Sequence, residues 1–279
     1  MSALRVMRKS LGTYIGFAVF VLIIALPLYW LVKSAFTKRT ELFELPADYL
    51  PWPTFSNFTT LAHQVPFATY IKNSLIFSVG TTLATVVLSF LAAYAFARLA
   101  VRGKDVILWL LVLSMALPQI ATIIPLYQTL KDLSLLNSLL GLTLVMSSLL
   151  VPFTVWILTA FIKQVPVEIE EAARIDGARL PQILWTILVP LTLPALATVF
   201  VINFVNAWNE LLYPLAFSAT TESKTLSVAI TEIFQAREPW GRPWNLVSAL
   251  GVTMVVPIIV LVLVSQKAIV RGLTRGAVK

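Results

Sequence analysis

A chain of 279 residues that is 58% hydrophobic and only 12% charged, with a mean hydropathy of +0.87, is too apolar for a soluble domain, whose apolar share is nearer about 45–50%. The absence of cysteine excludes disulfides and thiolate-held metals, and the single histidine, His63, cannot assemble a metal cluster. The net charge of +8 does not point to nucleic acid, because the charges are confined between six long charge-free runs instead of collecting in a basic groove.

Each run reaches the about 20 residues that a helix needs to cross a bilayer. The first lies between Lys9 and Lys33; it is too long, and lacks the small-residue cleavage site, to be a secretory signal. The second spans Asn73 to Ala97 and the third Val106 to Leu130. The fourth lies within Leu133 to Ile162, the fifth within Leu180 to Asn209 and the sixth within Pro243 to Gln266. The predicted fold class is therefore an all-α membrane protein with six transmembrane helices. Six crossings put both termini on one side, and 13 of the 21 basic residues then fall on the side of the N-terminus. The net charge is +8 on that side and 0 on the other, so the positive-inside rule selects N-in, C-in.

Between the first two runs, Ser34 to Lys72 reads as an outer loop rich in proline and aromatics. Trp52, Phe55 and Phe58 suit the headgroup level, and His63 suits a solvated loop surface. Asn73 is the residue type of a helix cap. Pro118 and Pro125 interrupt the third run and Pro152 the fourth, each predicting a bend.

The stretch 164–195 carries the clearest local design. Pro166 can open a helix, and Glu168, Glu170 and Glu171 fall in its first turns, where carboxylates favour the helix dipole. Gly177 stands where that helix should stop, and Pro181 opens the next one, which runs apolar into Pro190 and Pro194. Ile169, Ala172, Ala173 and Asp176 share one face, made mostly of small side chains that another protein can approach closely. An amphipathic helix lying on a membrane usually has a Lys/Arg-rich polar face, whereas this one is acidic.

At the end of the fifth run Asn206, Trp208, Asn209 and Glu210 bring polar groups close to membrane depth, where such groups usually face a wet interior. An interfacial cluster is the alternative, with Trp208 and Tyr213 as anchors and Glu210 reaching headgroups. Residues 216–242 form a second outer loop, and the chain ends in a basic tail that includes Gly272, Gly276 and Lys279. No phosphate-binding G-x-x-x-x-G-K-[ST] loop occurs, and His63 cannot serve a Ser/His/acid site from an outer loop. The chain is thus expected to be non-catalytic, to bind no metal or cofactor, and to draw energy from a partner.

Glu171-Ala172-Ala173, three residues, Gly177, and then Ile187, Pro190 and Pro194 together resemble the cytoplasmic EAA loop of permease subunits of ATP-binding-cassette (ABC) importers. The run 207–215, AWNELLYPL, resembles a signature of the second permease subunit of carbohydrate importers of the maltose-transporter type; the segments 70–74 and 225–230 and the ending GLTRGAVK resemble the same group. The resemblance covers about Leu11 to Lys279. It implies a type I ABC importer permease fold, with an N-terminal helix and outer loop at 1–69, a permease core at 70–270 and a cytoplasmic tail at 271–279. It implies that Glu170, Glu171, Ala172, Ala173, Asp176 and Gly177 dock into an ATPase cleft. Asn206, Trp208, Asn209 and Glu210 would lie at the outer end of a pore, and Gly272, Gly276 and Lys279 at the interface of the two ATPases. The implied partners are a second permease subunit, an ABC ATPase dimer that holds ATP and Mg, an extracytoplasmic solute-binding protein and membrane lipid. The implied location is the inner or plasma membrane of a bacterium or archaeon. The solute stays open among maltose-like oligosaccharides, trehalose, glucosylglycerol-like osmolytes and glycerol phosphates. An ion-gradient-driven secondary transporter is the alternative; that class usually shows internal repeats and ionisable residues at mid-membrane, and neither is evident here. A scaffold without transport would need neither clustered prolines in its spans nor a capped inner helix.

Overall fold

The computed structural model describes residues 3–46, 48–235 and 241–277, and every regular element among them is helical. In chain order these are α1 (Ala3–Ala35), α2 (Arg39–Leu42), α3 (Ser56–Gln64), α4 (Phe67–Arg98), α5 (Lys104–Ser114), α6 (Gln119–Asp132), α7 (Leu139–Gln164), α8 (Val167–Ile175) and α9 (Leu180–Gln182). A π-helical stretch, Ile183–Leu188, joins α9 to α10 (Val189–Asn209), and α11 (Leu212–Phe217), α12 (Leu226–Gln235) and α13 (Trp244–Ala277) follow. Among the described residues, five continuous helical segments are long and apolar enough to cross a membrane: 12–35, 67–98, 139–164, 180–209 and 244–266.

The third predicted crossing is interrupted at Pro118, as expected, and the break is sharp. Residues 106–130 do not form one rod: α5 and α6 meet at an angle of 101°, so the pair is either a broken span or a re-entrant loop. Pro118 is the cause. It offers no N–H, and its ring drives the preceding residue out of the helical region. Pro118 itself is extended (φ −67°, ψ 127°), while Met115, Ala116 and Leu117 close α5 with three short-range bonds to Val112, Leu113 and Ser114. Pro125, by contrast, lies within α6.

Contacts divide the chain into two compact units. One comprises Met1–Phe67 and Ile230–Val256, the other Ala68–Ala229 and Pro257–Lys279. In the first, Phe36, Phe55 and Phe58 form a ring cluster with centroids 5.1–6.2 Å apart. Asn57 is buried and donates to the carbonyls of Ala35 and Thr37, both at 2.8 Å, while accepting from Asn245 at 2.7 Å. His63 is exposed, in the last turn of α3 rather than in a loop, because residues 56–64 are helical. Of the three aromatics expected at the headgroups, Trp52 and Phe55 are exposed and Phe58 is half-buried in the ring cluster.

The second unit is a bundle built on α4. One face of α4 buries Ser74, Ser78, Thr81, Thr82, Thr85 and Ser89, small side chains that admit a neighbouring helix closely. From α7, Ser147 donates to the Thr81 carbonyl at 3.4 Å, and Ser89 donates to the Val151 carbonyl at 3.4 Å. Asn203 of α10, fully buried, donates to Thr154 Oγ1 at 3.0 Å. One apolar cluster joins Phe90, Tyr94, Leu158, Ile162, Leu188 and Val199. A second joins Phe77, Leu142, Met146, Ala207, Tyr213 and Phe217.

Asn73 does not cap a helix. The helix begins six residues earlier, at Phe67, and the buried Asn73 amide donates to the carbonyls of Thr221 (3.0 Å) and Lys224 (2.9 Å). It therefore ties the turn before α12 to α4. Asn73→Leu leaves both carbonyls without their donor, which costs on the order of 2 kcal/mol. The midpoint of thermal unfolding in detergent should fall; an unchanged midpoint would contradict this role.

Candidate functional site

The helix α8 forms where local chemistry predicts. Pro166 precedes it in an extended conformation (φ −57°, ψ 132°), and Glu168 and Glu170 occupy its first turn. Its end is a Schellman turn: Ala178 N–H donates to the Ala173 carbonyl at 2.9 Å and Gly177 N–H to the Arg174 carbonyl at 3.0 Å. Gly177 adopts φ +84°, a left-handed conformation that other residues resist. The chain then re-enters through α9, where Arg179 N–H is received by Gln182 Oε1 at 2.8 Å.

The carboxylates of α8 divide into two roles. Glu168 and Glu171 are exposed, as are Ala172, Asp176, Gly177 and, 86% exposed, Ile175. Ala173 is half-buried against the core cluster. Glu170 turns inward and is 1% exposed, so it departs from the expectation of a docking residue. Its Oε1 receives Nε of Arg98, the last residue of α4, at 2.6 Å, and its Oε2 receives the Tyr94 hydroxyl at 3.4 Å. Arg98 also donates through Nη2 to the Val165 carbonyl at 2.7 Å, the residue that ends α7. Arg174 in turn donates to the Tyr94 hydroxyl at 3.3 Å. One buried ion pair thus binds α4, the end of α7 and α8 together. The sequence carried a signal for it, an arginine closing an apolar run, but nothing that marked Glu170 among three nearby glutamates.

The second predicted group lies at the end of α10. Asn206 and Asn209 are exposed, and their amides donate back to the carbonyls of Ile202 (2.8 Å) and Val205 (3.0 Å). Trp208 corrects the expectation of a pore-side or interfacial residue: it is 2% exposed and stacks on Phe204, centroids 5.7 Å apart, because one turn of helix aligns the two rings on the packed face. Glu210 Oε1 accepts the N–H groups of Leu212 (2.7 Å) and Tyr213 (3.2 Å), so this carboxylate caps α11. Sequence reasoning missed Gln119, Thr122 and Ser148, which share a hollow with Asn206. Their signal is the break at Pro118, which exposes the start of α6.

The predicted tail group divides as well. Gly272 and Gly276 belong to the helical backbone of α13, which continues the sixth run through Ala277, there being no proline after Pro257 to stop it. Lys279 lies outside the described residues. Among the described residues no cluster of His, Cys, Asp or Glu is arranged to hold a metal.

A family model for the inner membrane component of binding-protein-dependent transport systems matches residues 85–275. The sulfoquinovosyl glycerol transport permease of Agrobacterium fabrum is 32% identical over 91% of this chain and 88% of its own length. The trehalose/maltose transport permease of Thermococcus litoralis is 33% identical over 97% of both chains, and the diacetylchitobiose uptake permease of Streptomyces coelicolor 33% over 91% of both. A chain from the crystal structure of a bacterial ABC transporter that imports the acidic polysaccharide alginate shares the fold at TM-score 0.80, with 22% identity over 96% of this chain and 98% of that one. This chain belongs to the family of binding-protein-dependent transport inner membrane components and is a multi-pass membrane protein.

Two substitutions test how α8 is held. Glu170→Ala strands the Arg98 guanidinium, which is 8% exposed, and breaking such a buried pair costs about 3–5 kcal/mol. Hydrogen exchange across residues 166–178 should accelerate, and the apolar pair Arg98→Leu with Glu170→Leu should recover much of the loss. Gly177→Ala meets no atom within 4 Å, so only the backbone conformation resists it, by about 1–2 kcal/mol. Unchanged exchange in both single variants would contradict this anchoring.

Proposed function

We propose that this inner membrane component is a non-catalytic permease subunit of an ATP-driven importer for a sugar or sugar-like solute. It pairs with a second permease to enclose the path, docks on an ABC ATPase dimer that holds ATP and Mg, and receives solute from an extracytoplasmic binding protein. The observation that carries this reading is the split of carboxylates on α8. One is spent inside on Arg98, while Glu168, Glu171 and Asp176 stay outside around the exposed Ile175. An ordered, doubly anchored acidic helix with an exposed apolar residue at its end suits a cleft on another protein better than free solvent.

In this reading both termini lie in the cytoplasm, consistent with the +8 and 0 division of charge between the two sides. Closure of the ATPase dimer on ATP draws the α8 helices of the two permeases together. Arg98 carries that displacement into α4, and the chain through Gly177 carries it into α10. Glu171, Ala172 and Asp176 meet the ATPase; Asn206 and Asn209 lie along the outer path, with Glu210 shaping its rim by capping α11. The path then opens to the loaded binding protein, and hydrolysis resets it. The relatives named above as sugar permeases support the solute class.

Glu171→Lys reverses one exposed charge of α8 without touching the Arg98–Glu170 pair. Purified from solubilised membranes, it should recover about tenfold less ATPase than the native chain, as loss of about 1.4 kcal/mol of docking energy implies. The amount of chain in the membrane should be unchanged. Undiminished recovery of the ATPase would contradict docking through this face.

A further inference from the structure

Lys33 lies in the last turn of α1 and is only 8% exposed, although the same helix is exposed from Gly12 to Trp30. Its ammonium stands over two rings, with Nζ 4.7 Å from the centroid of Trp30 and 5.8 Å from that of Tyr49. The chain itself holds Tyr49 there: the Tyr29 hydroxyl donates to the Tyr49 carbonyl, and Leu50 N–H donates to Asp48 Oδ1 at 2.9 Å. What the ammonium lacks is an anion. Among the described residues no oxygen accepts from Nζ; Glu41 pairs with Lys38, and Asp48 is turned to Leu50. Carbonyls around the end of α1 are already engaged. Those of Val32 and Lys33 receive Phe36 N–H, that of Phe36 receives Thr54 N–H, and those of Ala35 and Thr37 receive the Asn57 amide.

A buried charge is unfavourable unless an opposite charge and hydrogen bonds meet it. Two ring faces and a helix C-terminus offset part of that cost, but an ammonium has three hydrogens to give, and here none finds an oxygen. The position of the site indicates where the oxygen comes from. Lys33 closes the first apolar stretch, 12–35, where hydrocarbon gives way to headgroups. Tyr29, Trp30 and Tyr49 are exposed around it, as aromatics at that boundary are. The anion present all along that boundary is a phospholipid phosphate. A headgroup that also carries an amine would bring a second cation against Lys33, whereas one with a phosphate and hydroxyls brings none.

We propose that Lys33, walled by Trp30 and Tyr49, is a binding site for the phosphate of an anionic phospholipid of the phosphatidylglycerol type. The lipid belongs to the leaflet that meets the C-terminal end of α1, which is the outer one if the N-in orientation of the importer reading holds. The test is native mass spectrometry of the full transporter, stripped of lipid in detergent and titrated with phosphatidylglycerol or phosphatidylethanolamine. Lys33→Met removes the charge and Lys33→Arg keeps it. Tyr49→Glu, at an exposed position, supplies an internal carboxylate and leaves Lys33 in place. Phosphatidylglycerol should bind the native chain about tenfold more tightly than Lys33→Met or Tyr49→Glu, with Lys33→Arg close to native. Phosphatidylethanolamine should bind all four weakly, and excess inorganic phosphate should not displace the lipid. Phosphatidylglycerol affinity unchanged in Lys33→Met and Tyr49→Glu would overturn the proposal. So would equal affinity for phosphatidylethanolamine, or displacement by inorganic phosphate. Loss of a partner subunit from Lys33→Met, with lipid affinity unchanged, would overturn it too and assign Lys33 to a carboxylate of that partner. The lipid adducts are read on this chain itself, so the absence of a second permease and an ATPase from the native sample counts against the importer reading alone.

Discussion

A carboxylate that solvent barely reaches holds this molecule's exposed helix in place. Glu170 sits on α8, Arg98 ends α4, and their contact at 2.6 Å is surrounded by the Tyr94 hydroxyl and the Val165 carbonyl. Taking two charges out of water is unfavourable unless the remaining hydrogen-bonding capacity is met. Here the guanidinium has both a carboxylate and a carbonyl, and the carboxylate has both an arginine and a phenol. Such a pair adds little net stability compared with a packed apolar pair, but it tolerates only one geometry. Its contribution is to fix which face of α8 turns inward, and therefore which residues turn out.

The same stretch shows how proline and glycine divide the work of routing the chain. Gly177 lets the backbone reverse at φ +84° two residues after the end of α8. The π-helical turn over residues 183–188 then precedes Pro190. A wider turn relieves the clash between a proline ring and the carbonyl one turn back, which a regular helix could not avoid. Pro118 solves the opposite problem. It cannot be absorbed, because Leu117 before it leaves the helix, and the 101° bend that results opens a polar hollow among apolar helices. Hinge, turn and cavity all follow from removed N–H groups and one missing side chain.

Much of the fold was legible because its signals are local. Charge-free runs of sufficient length gave the long helices, and Pro166 and Gly177 marked the bounds of α8 within a residue or two. What depends on partners far along the chain was not legible. Glu168, Glu170 and Glu171 look alike in one dimension; only the position of Arg98, 72 residues away, makes one of them internal. Trp208 beside Asn209 and Glu210 reads as an interfacial aromatic, yet Phe204 one turn earlier places it on the packed face. Asn73 has the chemistry of a cap, but its carbonyl partners lie some 150 residues on. The third run met the length criterion for a crossing and Pro118 marked where it bends, but Pro118 and Pro125 look alike in the sequence, and only Pro118 breaks the helix.

The account stands on α8 being the surface that meets the ATPase. Ala172 is exposed at the centre of that face, and the chain has no other cysteine, so Ala172→Cys places one reactive group where contact is expected. The most direct measurement is cross-linking from this position with a short photoactivatable thiol reagent in native membranes, with the product identified by mass spectrometry. The account predicts one dominant adduct to an ABC ATPase, with a yield that changes when ATP is added. An Ala172→Cys that reacts freely with small soluble reagents yet gives no ATPase adduct, in membranes where solute uptake is intact, would contradict it.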